Sequence, residues 1–94
     1  SQDGLFMVVV SISQETGELL SGPEIISRGF VYMKESGDLL DGAKDIITGV
    51  VEDCASKQVS DWTTIKGRIK KAVRNYLYEN TKRSPMILPI IIDM

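Results

Sequence analysis

The chain has 94 residues, 43 % of them hydrophobic and 26 % charged, with a formal net charge of −2. That is enough chain for one hydrophobic core and too little for two, and the balance is that of a folded domain, not a disordered tract. The longest apolar runs, 5–10 and 86–92, fall far short of the ~20 residues of a membrane span, and no basic segment precedes the first, so neither a transmembrane helix nor a signal peptide is expected.

Residues 4–12, with Leu5, Phe6 and the run Met7-Val8-Val9-Val10, read as a strand. Residues 13–24 read as a turn region, broken by Thr16-Gly17 and Ser21-Gly22-Pro23. Residues 25–33 read as a second strand, forming an antiparallel hairpin with the first across a long connection. Glu35-Ser36-Gly37 ends it, and Asp38 with Asp41 marks the start of a helix running to about Ser56. Its apolar stripe is Leu39, Ala43, Ile46, Ile47, Val50 and Cys54. Ser60-Asp61 caps a second helix whose stripe is Trp62, Ile65, Ile69, Ala72, Val73 and Tyr76. Pro85 stops it. Residues 86–93 form a third strand, which Pro89 confines to an edge or a bulge because it lacks an N–H. The predicted fold is therefore α+β, in the order β-β-α-α-β, with two helices packed on one face of a three-stranded sheet.

A sheet covered on one face alternates apolar and polar side chains. The first and third strands do not alternate; both are apolar at nearly every position. Two helices cover one face only, which leaves about six large apolar side chains, roughly 500 Å², without cover. The expectation is that a second copy or another part of a larger protein covers that face. The side chains assigned to this interface are Phe6, Val8, Val10, Met86, Leu88 and Ile91.

Chemistry is sparse. There is no histidine and only one cysteine, Cys54, so the common zinc sites, an internal disulfide and the usual general base are all missing. Cys54 continues the apolar stripe of the first helix and reads as a buried structural thiol in a reducing, cytoplasmic setting. Asp38, Asp41, Asp45 and Glu52 lie opposite that stripe, where solvated charge is expected. Gly42 and Gly49, seven residues apart on one flank, suggest close approach by another backbone. Arg28-Gly29-Phe30-Val31-Tyr32 has the look of an RNA-binding strand, but it reads better as Phe30 and Tyr32 sharing a sheet face beside a permissive glycine.

Charge is segregated. Residues 1–60 carry four basic and ten acidic groups, residues 61–94 seven basic and three acidic. Lys70, Lys71, Arg74 and Tyr78 share the outward face of the second helix, with Lys82 and Arg83 just beyond it. Phosphate contacts plus one stacking aromatic make RNA a candidate ligand there.

Two segments are specific enough to name a family. Ser21-Gly22-Pro23-Glu24-Ile25-Ile26-Ser27-Arg28-Gly29-Phe30-Val31-Tyr32-Met33-Lys34-Glu35 resembles a segment of ribonuclease J. The stretch from Leu77 to Ile91, which reads Leu77-Tyr78-Glu79-Asn80-Thr81-Lys82-Arg83-Ser84-Pro85-Met86-Ile87-Leu88-Pro89-Ile90-Ile91, resembles that family's C-terminal ending. Ser84 stands where the family commonly has a further arginine. The resemblance spans the chain and implies the C-terminal domain of a bacterial metallo-β-lactamase/β-CASP ribonuclease with 5′-to-3′ exonuclease and endonuclease activities. It further implies two zinc or similar divalent ions in upstream catalytic domains, and no cofactor or catalytic residue in residues 1–94. The opening at Ser1 without a methionine agrees with a single accessory domain cut from a longer polypeptide. Implied partners are the parent's own catalytic domains, a second copy or a paralogous ribonuclease J subunit, and RNA through the parent, with no membrane. The role expected is support of oligomerisation and full activity, with RNA binding by the second helix as the alternative.

Overall fold

The computed structural model describes residues 3–30 and 36–94. Its elements are β1 (Leu5–Ile12), β2 (Leu19–Arg28), α1 (Ser36–Ser56), α2 (Trp62–Thr81) and β3 (Met86–Asp93). The α+β class and the element order are those the sequence predicts. The sheet order is β2-β1-β3, with β1 central, antiparallel to β2 and parallel to β3. Parallel pairing needs a long crossover, and the two helices supply it. α1 packs on β2, α2 on β3, and the helices pack on each other.

β2 starts earlier and ends earlier than the predicted 25–33. The turn is compact: Ser13 Oγ accepts from the N–H groups of Glu15 and Thr16, both at 3.2 Å, and Gly17 N–H donates to the Ser13 carbonyl at 2.9 Å. The strand then runs straight through Ser21-Gly22-Pro23. It does so because β2 is an edge and takes up extra residues: the pairing moves from Val9↔Glu24 to Ser11↔Ser21 and then to Ile12↔Leu19. Gly22 is required at this irregularity. Its φ is +89°, and a Cβ there would sit 2.8 Å from the Val9 carbonyl oxygen. Tyr32, together with Val31 and Met33 at the end of the predicted strand, lies outside the described residues.

Pro89 occupies the free edge of β3. Met86 N–H donates to Gly4 O and Met94 N–H to Ile12 O, so even-numbered residues of β3 face β1 and the missing N–H of Pro89 points away.

The helices begin and end for local reasons. Asp61, extended at φ −72° and ψ 117°, caps α2 by accepting from Thr64 N–H at 2.9 Å and Thr64 Oγ1–H at 2.7 Å. Lys82, in the left-handed region at φ 58°, closes it with its N–H on the Tyr78 carbonyl. The buried row of α2 is Ile65, Ile69, Val73, Leu77 and Thr81, a strict four-residue repeat that includes Leu77, absent from the predicted stripe. In α1 the buried row is Ala43, Ile47, Val51 and Cys54, with Val51 the addition. Cys54 is buried, as expected of a structural thiol.

The core lies between the helices and one sheet face. β1 contributes Phe6, Val8, Val10 and Ile12, and β3 contributes Ile87. Phe30 closes one end, its ring edge-on to Phe6 with centroids 5.9 Å apart. It is thus a core residue, not an exposed platform. The glycine expectation is half corrected. Gly42 is approached by the Tyr76 side chain of α2, not by a backbone, and Gly49 has nothing within 4 Å.

Candidate interaction surfaces

The register divides the sheet cleanly. On β1, Phe6, Val8 and Val10 point into the core and are 0 %, 0 % and 1 % exposed. They are therefore committed to the helices and not available to a partner, which corrects their assignment to an interface. Ile91, opposite Val10, packs against the same core and is corrected with them. Met86 and Leu88 point the other way, at 55 % and 42 % exposed.

The outer face comprises the alternate residues. Leu5, Met7 and Val9 of β1 pair with Met86, Leu88 and Ile90 of β3, and Ile92 follows opposite Ser11. On β2, Ile26 lies opposite Met7, flanked by Arg28 and Glu24. No described helix packs on this side. The exposed apolar area is on the order of 500 Å², at the size where patches on folded proteins mark interaction sites. The signal missed in the sequence was parity. In an unbroken apolar run either set could face the helices, and only the positions of Phe6 and Ile87 against the helices settle which one does.

The second surface is the solvent side of α2. Lys70, Lys71, Arg74, Tyr78 and Lys82 are all exposed, and Arg83 is half-buried. Lys66, Lys70, Arg74, Tyr78 and Lys82 follow one another at four-residue spacing along a single ridge. The Lys82 ammonium sits 5.1 Å from the Tyr78 ring centroid. Arg83 is set apart from the ridge. Its Nη1 lies 3.7 Å from Asp3 Oδ1, while Ser84 N–H donates to Asp3 Oδ2 at 2.7 Å. Ser84, where a family arginine was expected, thus contributes its backbone to the tie between the chain's start and β3.

A cavity of about 450 Å³ lies between the Ser13–Gly17 turn and the start of α2, against Ala55, Val59, Trp62 and Ile65. Its one ionisable lining residue is Glu15, so it offers no acid–base pair. Among the described residues no three His, Cys, Asp or Glu side chains converge to hold a metal, and the chain has no histidine, so these residues do not fit a zinc centre. No helix among the described residues is long and apolar enough to cross a membrane. Among the described residues Asp61 and Tyr76 titrate away from their ordinary values, both for structural reasons. Hydrogen bonds from the Thr64 side chain and backbone lower Asp61. Burial, with smaller contributions from Asp45, Asp38 and Asp41, raises Tyr76.

The described residues build a two-layer α+β unit whose three-stranded sheet carries both helices on one face and an exposed apolar set on the other. The chain belongs to the Ribonuclease J C-terminal domain family, whose model matches residues 1–94. It is 42 % identical over its full length to Ribonuclease J2 of Bacillus subtilis (strain 168). Against Ribonuclease J 2 of Staphylococcus epidermidis and of Staphylococcus aureus (strain NCTC 8325 / PS 47) it is 37 % and 38 % identical, again over all 94 residues. The chain spans 17 % of the length of each of these relatives.

Proposed function

We propose that this domain is the non-catalytic assembly module of a ribonuclease J-type RNA-processing and decay enzyme. The outer sheet face of one subunit packs against that of another, a second copy or a paralogous subunit, and this association supports full activity. The parent's hydrolysis of RNA, 5′-to-3′ exonucleolytic and endonucleolytic, belongs to its lactamase and β-CASP domains with their two zinc or similar divalent ions. A cytoplasmic setting fits the lone buried Cys54.

The observation that carries this reading is the bare apolar face built from Leu5, Met7, Val9, Ile26, Met86, Leu88, Ile90 and Ile92. Burying it against its own copy would remove roughly 1,000 Å² in total, the low end for a specific interface. Such an area makes a weak dimer when the domain is alone, since association itself costs several kcal/mol. Linkage to the rest of the parent then raises the effective concentration. Glu24 and Arg28, either side of Ile26 on that face, provide opposite charges for a two-fold related copy to pair reciprocally.

Sedimentation of the 94-residue chain across a concentration series tests this. Self-association into dimers is expected, and Leu88→Asp or Met7→Lys should return the chain to monomer with its helices intact. A monodisperse monomer up to about millimolar concentration, where even a dimer held by ~4 kcal/mol is half formed, would refute it.

A further inference from the structure

We infer that the outer ridge of α2 is a track for single-stranded RNA, with Tyr78 as a base-stacking platform between phosphate-binding cations. This goes beyond the assembly reading and does not depend on it. The ridge faces solvent from the helix layer, so it stays open whether or not the sheet face on the opposite side is paired.

Three observations carry the inference. First, the order of side chains. Lys66, Lys70, Arg74, Tyr78 and Lys82 form one four-residue row, each step advancing about 6 Å along the helix. Cations thus stand one turn before and one turn after an aromatic ring. Second, the cations are uncommitted. Among the described residues no carboxylate lies within ion-pairing distance of Lys66, Lys70, Lys71 or Arg74; ion pairs form elsewhere, at Lys57–Asp53 and Arg83–Asp3. Third, the surroundings are polar. The neighbouring row is Thr63, Gly67, Lys71, Asn75 and Glu79, with one acidic group at its far end, and Tyr78, 51 % exposed, is the one apolar body on the ridge.

That combination favours RNA over an acidic protein. A protein partner needs an apolar centre to exclude water from the contact, and this convex ridge has none. A single strand needs charge for its backbone and a π-face for its bases. The Lys82 ammonium beside the Tyr78 ring adds a charge next to the stacked base.

The test is titration of the 94-residue chain with a fluorescently labelled, unstructured single-stranded oligoribonucleotide at several salt concentrations. With about four phosphates engaged, log affinity should fall against log salt with a slope near −3. Lys70→Ala combined with Arg74→Ala should weaken binding about tenfold or more at low salt and make the slope shallower by about 1.4. Tyr78→Ala should weaken binding about tenfold while leaving the slope unchanged, and Tyr78→Phe should restore it. Melting curves of each variant separate these effects from unfolding. No binding at low salt overturns the inference. So does equal affinity for polyglutamate with Tyr78→Ala silent, which would mark the ridge as a site for acidic protein.

Discussion

The Tyr76 hydroxyl of α2 donates a hydrogen bond to the Leu39 carbonyl near the start of α1 at 2.8 Å, and its ring reaches that carbonyl by lying across Gly42. One side chain thus spans the two helices and sets their separation at this end. Gly42 is what allows it. A Cβ at that position would collide with the hydroxyl and stand 2.9 Å from Cζ.

Gly42 and Gly49 of α1 should therefore respond oppositely to alanine. Gly49→Ala meets nothing within 4 Å and gains helix propensity, so stability should rise by about 0.5–1 kcal/mol. Gly42→Ala gains the same propensity but displaces Tyr76 and takes its half-buried hydroxyl away from the Leu39 carbonyl, for a net loss of about 1 kcal/mol. Urea unfolding of both variants checks this; equal stabilisation would show that Tyr76 moves aside freely.

Tyr76 also predicts behaviour at high pH. Burial first, and the Asp45, Asp38 and Asp41 charges after it, raise its phenol above the ordinary 10.0. The neutral form is the one the fold favours, so this contribution is complete below pH 10 and is lost as pH rises through the folded value. Ultraviolet titration should show a tyrosine ionising above 10, and Tyr76→Phe should remove that transition.

The cap of α2 works in the other direction. Hydrogen bonds from Thr64 hold the Asp61 carboxylate below its ordinary 3.8, favouring the charged form. Its stabilisation is present above 3.8 and fades as pH falls through the lower folded value. Asp61→Ala should lower the melting temperature at neutral pH and narrow the difference from wild type under acid. Asp61→Asn, which keeps the acceptor, should lose less.

The two faces of the sheet should separate stability from association. Phe6→Ala opens a cavity in the core against Phe30 and should cost about 3–5 kcal/mol. Leu88→Asp changes a side chain on the outer face, 42 % exposed, and should move the unfolding midpoint of dilute protein far less than Phe6→Ala does. Chemical denaturation beside sedimentation distinguishes the two. Large destabilisation by Leu88→Asp would mean that the outer face is packed within one copy.

Local chemistry made much of this architecture legible in the chain alone. Asp61 announces the start of α2, Pro85 the stop after it, and Pro89 an edge strand, because each acts through its own backbone or the residues beside it. The excess of apolar residues in β1 and β3, and hence an apolar face that two helices leave uncovered, also follows from composition and the two-residue repeat of a strand. Which side chains lie on that face does not. In Met7-Val8-Val9-Val10 or Ile90-Ile91-Ile92 the two faces look alike, so only the placement of Phe6, Val8 and Ile87 beneath the helices puts Met7, Val9, Leu88 and Ile90 on the outer face. The path of β2 through Gly22-Pro23 and the approach of Tyr76 to Gly42 were likewise decided by pairing with β1 and packing between helices, contacts between residues far apart in the chain.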